Sequence, residues 1–202
     1  MIRCAIDGGL WTITIDRADK AGALTRDMLV ELSELAEKAT VAKVVVLTGT
    51  GRVFSAGADL DEARAGLAVD PIWERLSAAI AALPGLTVAA LNGTVAGGAF
   101  GMVLACDLRV AVPTAKFFYP VMKLGFLPQP SDPKRMAHLI GPSKAKMILM
   151  AGQKITATQA HDWGLIDQVT AEADLAEAVS TLVQDALNAD ANHVLGIKSL
   201  VQ

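Results

Sequence analysis

The stretch N-G-T-V-A-G-G-A-F-G-M-V-L-A-C-D, residues 92–107, decides how this chain is read. A short apolar run, Leu86 to Leu91, precedes it and has the length and β-branching of a buried strand. Ala99, Phe100, Met102, Val103 and Leu104 follow as a buried helix, with Gly97 and Gly98 at the junction. A strand that ends at a glycine pair and resumes as a helix leaves backbone N–H groups without intrahelical partners. The helix dipole adds partial positive charge there, and glycine lets another molecule approach the backbone closely. An anion, or an oxygen becoming one, is the natural guest. Gly97, Gly98 and Gly101 do not have the spacing of the dinucleotide fingerprint, and the Gly-Lys-Ser/Thr of a phosphate loop is absent. The competing reading is that Gly97 and Gly101, one helical turn apart, only let two elements pack closely.

Composition narrows the classes. The chain has 202 residues, 52% hydrophobic and 19% charged, with a formal net charge of −3. A chain of this length buries roughly 70% of its unfolded surface, enough for one large core. The mild acidity and the lack of a basic run argue against nucleic acid as a partner. Cys4 and Cys106 do not make a disulfide framework and fit a reducing compartment. Apolar runs are broken by Pro84, Gly85 and Thr87, and later by Asp107 and Arg109, so no membrane span is expected. The start, M-I-R-C-A-I-D, is not a secretory signal, and the location expected is cytoplasmic. Three scattered histidines give no metal-site pattern, and no metal is expected. Asn92-Gly93-Thr94 matches a glycosylation acceptor by chance.

Along the chain, strand and helix signals alternate, which argues for an α/β domain with mostly parallel strands. Asp7-Gly8-Gly9 joins two strands of a hairpin. Thr25 caps a helix with apolar residues at helical spacing to Ala39. Val44 to Leu47 is a buried strand. Arg52 to Leu60, R-V-F-S-A-G-A-D-L, is a second loop leading into a helix, with Asp59 as its cap. Pro71 opens a helix to Leu83, and Phe117 and Phe118 lie on a strand. Asp132-Pro133 reads as an N-cap followed by a first-turn proline. Thr156 starts a short helix ended by Gly164, and two C-terminal helices follow. One domain over 1–202 is expected, with a core to residue 170 and helices over 171–202.

The Ala56–Asp59 loop and the Gly97-Gly98 loop share a form: each follows a strand and opens a helix. If those strands are neighbours, one amide N–H from each converges on a point and forms an oxyanion hole, aimed at charge that develops during reaction. Ala58 and Gly98 have side chains small enough to supply those amides.

The combination F-S-A-G-A-D-L (residues 54–60), N-G-x-x-x-G-G (residues 92–98) and Cys106-Asp107 resembles the crotonase, or enoyl-CoA hydratase/isomerase, superfamily. Asp16–Leu24, Gly125-Phe126-Leu127-Pro128, Gly141 and Ala160–Val169 fit the same pattern. The resemblance implies a crotonase-like spiral of ββα turns with a shortened C-terminal helical region. It implies an acyl-CoA thioester as partner, with coenzyme A part of the substrate and no separate cofactor. The thioester oxygen would lie between the N–H groups of Ala58 and Gly98. Ala56, Asp59 and Leu60 would follow the CoA and acyl path, and Lys20 and Arg52 would meet CoA phosphates. Gly97, Gly101 and Val121 would border the acyl group. Trimer-based homo-oligomers are usual in the family.

The chain departs from that pattern twice. The hydratases of the family use two glutamates, and here Gly101 and Val121 stand at those positions. Ordinary two-glutamate hydration is therefore not expected, whereas isomerisation needs only one base. The candidate for that base is Asp132, against its reading as a helix cap. Tyr119 could present a hydroxyl, although alternation with Phe117 suggests packing. Family members also continue past Lys198 through helices that close the pocket, so a neighbour supplies that cover or the pocket is more open. Two functions follow: an enzyme of isomerase-like or divergent acyl-CoA chemistry, or a non-catalytic acyl-CoA-binding protein or degenerate subunit.

Overall fold

A run such as Val44-Val-Val-Leu47, rich in β-branched residues and followed by Thr48-Gly49, reads as a strand inside a sheet covered on both faces. The computed structural model, which describes residues 1–201, places it at the centre of one. In chain order the elements are β1 (Ile2–Asp7), β2 (Leu10–Ile15), α1 (Arg26–Lys38), β3 (Val44–Gly49), β4 (Val53–Ser55), α2 (Leu60–Arg64), α3 (Ile72–Ala81), β5 (Leu86–Leu91), β6 (Thr94–Ala96) and α4 (Phe100–Ala105). They continue as β7 (Leu108–Ala111), β8 (Lys116–Phe118), α5 (Val121–Leu124), α6 (Asp132–Leu149), β9 (Ile155–Thr156), α7 (Ala157–Trp163), β10 (Gln168–Val169), α8 (Leu175–Asn188) and α9 (Ala191–Val201).

Two sheets form, in the orders β1-β2-β3-β5-β7-β10 and β4-β6-β8-β9. The pairings are parallel except at β1–β2 and β8–β9. In each of the successive units β3–β4, β5–β6 and β7–β8, the first strand joins the larger sheet and the second the smaller. A helix then returns the chain to the next unit. This is the ββα spiral, and its consequence is that the ends of β4 and β6 lie side by side. Phe54, Phe100 and Phe117, one from each unit, are fully buried. Phe100 meets Phe117 edge-on at 6.4 Å between ring centroids and stacks on Tyr119 at 5.5 Å.

The local signals are realised where they were expected. The Thr25 hydroxyl accepts from the Met28 N–H, Asp59 caps α2 through the Asp61 N–H, and Thr156 and Gln159 form a capping box at α7. Gly164 ends α7 in the left-handed region at φ 83°. The helix from residue 132 is interrupted at Gly141, whose φ of 79° and ψ of 156° break it before Pro142.

One expectation is corrected here. The glycine pair does not follow Leu86–Leu91 directly; the chain turns at Asn92-Gly93 and forms β6 first. The turn is set by contacts from far along the chain. The Asn92 side chain accepts from the Gly49 N–H at 3.0 Å and donates to the Gly51 carbonyl at 2.9 Å. A Cβ on Gly93 would lie 2.1 Å from the Arg52 carbonyl oxygen, so only glycine permits that approach. Three residues of strand are too few to show a period in sequence. The amide of Asn92 is committed to this corner.

Candidate active site

Parallel pairing of β4 with β6 brings the two strand-to-helix loops together. A Cβ on Gly57 would lie 2.8 Å from the Ala96 carbonyl oxygen and 3.5 Å from the Gly97 Cα, so the loops touch backbone to backbone. Gly57 (φ 89°) and Gly97 (φ 58°) both occupy the left-handed region, and each immediately precedes one of the two expected amides, Ala58 and Gly98. Glycine adopts that conformation without the penalty a Cβ imposes.

The first loop spends its neighbouring amides internally. Ala56 N–H donates to the Ala21 carbonyl, Gly57 N–H to the Ser55 hydroxyl, and Asp59 N–H to the Leu24 carbonyl. Among the described residues, no turn or loop bond is made by the N–H groups of Ala58 and Gly98, and Gly98, second residue of the 3-10 turn Gly97–Ala99, precedes the first intrahelical donor of that turn. Both residues are partly accessible. The indole of Trp73, on α3, covers Gly98 from one side: a Cβ there would lie 3.0–3.1 Å from ring atoms. That ring is fixed by its own N–H, which donates to the Leu67 carbonyl at 2.8 Å.

Gly101 lies one turn further along α4. A Cβ built on it would sit 3.1 Å from Asp132 Oδ1, 3.5 Å from Asp132 Oδ2 and 3.5 Å from Ser77 Cβ. The Asp132 carboxyl thus stands over the very residue that lacks a side chain. It is fully buried. Oδ2 accepts from the Tyr119 hydroxyl at 2.9 Å, whereas Oδ1 is buried without a hydrogen-bond partner. The N-cap of α6 is Ser131, and Asp132 is its first helical residue. The reading of Asp132 as the cap is therefore overturned. Its carboxyl turns inward to Tyr119, while Glu74, from α3, accepts from both the N–H and the hydroxyl of Ser131.

Burial pushes the Asp132 carboxyl up to about 7, and the nearby Glu74 carboxylate adds to the rise. The Tyr119 hydrogen bond and the Arg135 guanidinium act the other way. Burial is also the main reason the Tyr119 hydroxyl is held far above its ordinary range. A carboxyl poised near neutrality, with one oxygen free, can accept a proton and return it at ordinary pH. Tyr119 does both things its position allowed: the ring packs on Phe100 and the hydroxyl holds the acid. Glu74 and Trp73 carried no signal in sequence beyond their places on an amphipathic helix.

The remaining expected residues are spread more widely. Ala56 and Leu60 are exposed, Leu60 by 74%. The Asp59 carboxylate is taken by Arg17 at 2.9 Å and by its capping bond, which braces the loop and holds the carboxyl below its usual range. Lys20 and Arg52 are exposed, and among the described residues neither makes an ion pair. Val121 is buried at the start of α5 and lines an apolar cavity of about 520 Å³ against α6. His138, His161 and His193 are exposed. Among the described residues no helix is long and apolar enough to cross a membrane.

The spiral with paired amides at the ends of two adjacent strands defines the class: the chain belongs to the enoyl-CoA hydratase/isomerase family, whose model matches residues 5–202. It is similar to YngF of Bacillus subtilis (strain 168), which carries an enoyl-CoA hydratase/isomerase name, at 38% identity over 81% of this chain and 66% of the relative. The chain thus spans just under two thirds of that protein. It is 32% identical to 4-chlorobenzoyl coenzyme A dehalogenase-2 of an Arthrobacter species, over 96% of this chain and 75% of that one. The crystal structure of an enoyl-CoA hydratase from Bacillus anthracis superposes with a TM-score of 0.90 at 28% identity, covering 99% of this chain and 81% of the other.

Proposed function

We propose that the protein processes an acyl-CoA thioester by isomerase-type chemistry, with Asp132 as its one acid/base group. The observation that carries this reading is the Asp132 carboxyl, one oxygen unpartnered, 3.1 Å from the Cβ position of Gly101 on the helix that begins beside the Gly98 amide. The thioester oxygen accepts from the Ala58 and Gly98 N–H groups. Asp132, as carboxylate, takes a proton from a carbon of the enoyl chain, and the electron pair moves to the thioester oxygen as a dienolate. The protonated Asp132 then returns that proton at another carbon, so the double bond shifts with no net gain or loss of atoms. One carboxyl suffices for this cycle, whereas hydration also needs a group to activate water, and Gly101 and Val121 transfer no protons.

Loss of a general acid/base group typically lowers the rate by about 10²–10⁴-fold. Asp132→Asn, assayed for double-bond shift with short and medium enoyl-CoAs between pH 6 and 9, is expected to lose activity in that range. Hydration by the parent protein is expected to be slower than its double-bond shift. Parental turnover by the variant would remove Asp132 from the reaction. The complete burial of Asp132 and the aliphatic Val121 favour one other reading, acyl-CoA binding without conversion. Calorimetric binding with no turnover of any enoyl-CoA by the parent would select it.

Ala56, Leu60, Lys20 and Arg52 are each exposed, and on this reading the CoA moiety would run over them. Met122, Phe126, Leu127 and Met150 line the α5–α6 cavity and expose apolar surface there. A second copy of the chain, in a trimer-based oligomer, would cover them. Light scattering gives the mass directly, and a monomer at micromolar concentration would argue against it.

A further inference from the structure

Asp132 is held by one oxygen only. The Tyr119 hydroxyl reaches Oδ2 at 2.9 Å, and Oδ1 is left facing Gly101 with no protein partner. A carboxyl at the start of a helix has competing choices. It can swing back to cap its own helix N–H groups, the commoner role of aspartate there, or turn towards Arg135. Here neither happens. Ser131, the residue before Asp132, is anchored from outside by Glu74, which accepts from the Ser131 N–H and hydroxyl. The Tyr119 ring is itself fixed, stacked on Phe100 with the planes only 14° apart. The Gln129 N–H approaches the Tyr119 oxygen at 3.4 Å, so that oxygen receives one hydrogen and gives its own to Asp132. The hydroxyl direction is therefore set from both sides.

We propose that Tyr119 is a positioning residue: its hydroxyl fixes Asp132 Oδ2 so that Oδ1 alone faces the reacting carbon. The inference rests on the reading of Asp132 as the base and adds to it a second residue, with a defined donor, that acts through the first. Glu74 anchors Ser131, the residue that precedes Asp132, and so holds the start of α6 against α3. The charged and titratable groups that face Asp132 are Tyr119 from the β8–α5 link, Glu74 from α3 and Arg135 from α6. Tyr119 donation and Arg135 favour the carboxylate, and Glu74 favours the acid.

The test uses the whole protein with Tyr119→Phe, which keeps the stacked ring and removes only the donor. Carbon-13 NMR of labelled aspartate, assigned with Asp132→Asn, follows the Asp132 titration without requiring turnover. The pH profile of kcat/KM for double-bond shift is read in parallel, and near-UV circular dichroism checks the fold. In Tyr119→Phe both the titration and the acid limb of the profile should move up together, by roughly half to one pH unit, the size of one hydrogen bond on the protonation scale. The plateau rate should also fall, as expected for a base that is less well aimed. If Asp132→Asn is inactive but Tyr119→Phe shifts neither curve, Tyr119 only packs and the positioning role is overturned while the base remains. If Asp132→Asn keeps parental activity, the base reading fails, whatever Tyr119 does to the titration.

Discussion

Ala58 and Gly98 are placed by the residues beside them in the chain; Asp132 is placed by residues from three other segments. Each amide follows a left-handed glycine, Gly57 or Gly97, at the end of a short strand, and parallel pairing of β4 with β6 does the rest. The carboxyl depends on Tyr119 before α5, on Glu74 from α3 and on the vacancy at Gly101 of α4. The amide half of the site is thus a property of local backbone geometry, and it depends on the absence of a side chain at Gly57 and Gly98, where a Cβ would meet the Ala96 carbonyl and the Trp73 ring. The carboxyl half is a property of tertiary packing.

The sharpest way to break this contrast is at Gly98. A methyl there would lie 3.0–3.1 Å from the Trp73 ring, which is pinned by its bond to the Leu67 carbonyl. Either the ring or the Gly98 amide must give way. Loss of one oxyanion-hole donor costs about 10²–10³-fold in kcat, and Gly98→Ala is expected to approach that loss, with a lower midpoint in urea from the tight contact. Steady-state kinetics beside urea unfolding would separate the two effects. Activity within threefold of the parent would show that the amide tolerates displacement and that the hole is less fixed than its backbone suggests.

The same contrast explains what could be read before any coordinates. Both glycine loops, their helices and the resemblance to one family were legible because their determinants lie close together in sequence. Asp59 as a cap was legible for the same reason. The turn at Asn92-Gly93 and the strand Thr94–Ala96 were not, because the turn is fixed by Gly49, Gly51 and Arg52. Asp132 was legible as the candidate base, but its reading as a helix cap was the stronger one. Asp-Pro at a helix start carries a strong local reading, and it is the Tyr119 hydroxyl, brought in by the fold, that turns the carboxyl inward.

A second prediction concerns stability. Asp132 holds its proton to about pH 7 in the folded chain, whereas in the unfolded chain an aspartate releases it near pH 4. Between those values the native state binds more protons than the unfolded state, so stability falls as pH rises. The fall is on the order of a few kcal/mol. Asp132→Asn carries no such titration. Its unfolding free energy should therefore gain on the parent from about pH 4 to about pH 7 and level off above that, while its activity is lost. Equal pH dependence in the two proteins, by urea titration, would mean that the carboxyl is more solvated than its burial implies.

The smallest effect, and the most discriminating, is expected at Gly101. Alanine there is favoured over glycine by the helix, by about 1 kcal/mol. Its methyl, however, would sit 3.1 Å from Asp132 Oδ1, close enough to push the carboxyl aside by a few tenths of an ångström. Since misplacement by about 1 Å can cost 10²-fold, Gly101→Ala should lose roughly tenfold in turnover with stability unchanged or slightly raised. Gly97→Ala gives the comparison, because its methyl would meet nothing nearer than 3.9 Å and acts through the strain of its positive φ, which also sets the Gly98 amide, and not on Asp132. It should lose stability first. The opposite order of the two losses in these variants would place local backbone strain, rather than the carboxyl carried in by α6, in control of the acid/base step.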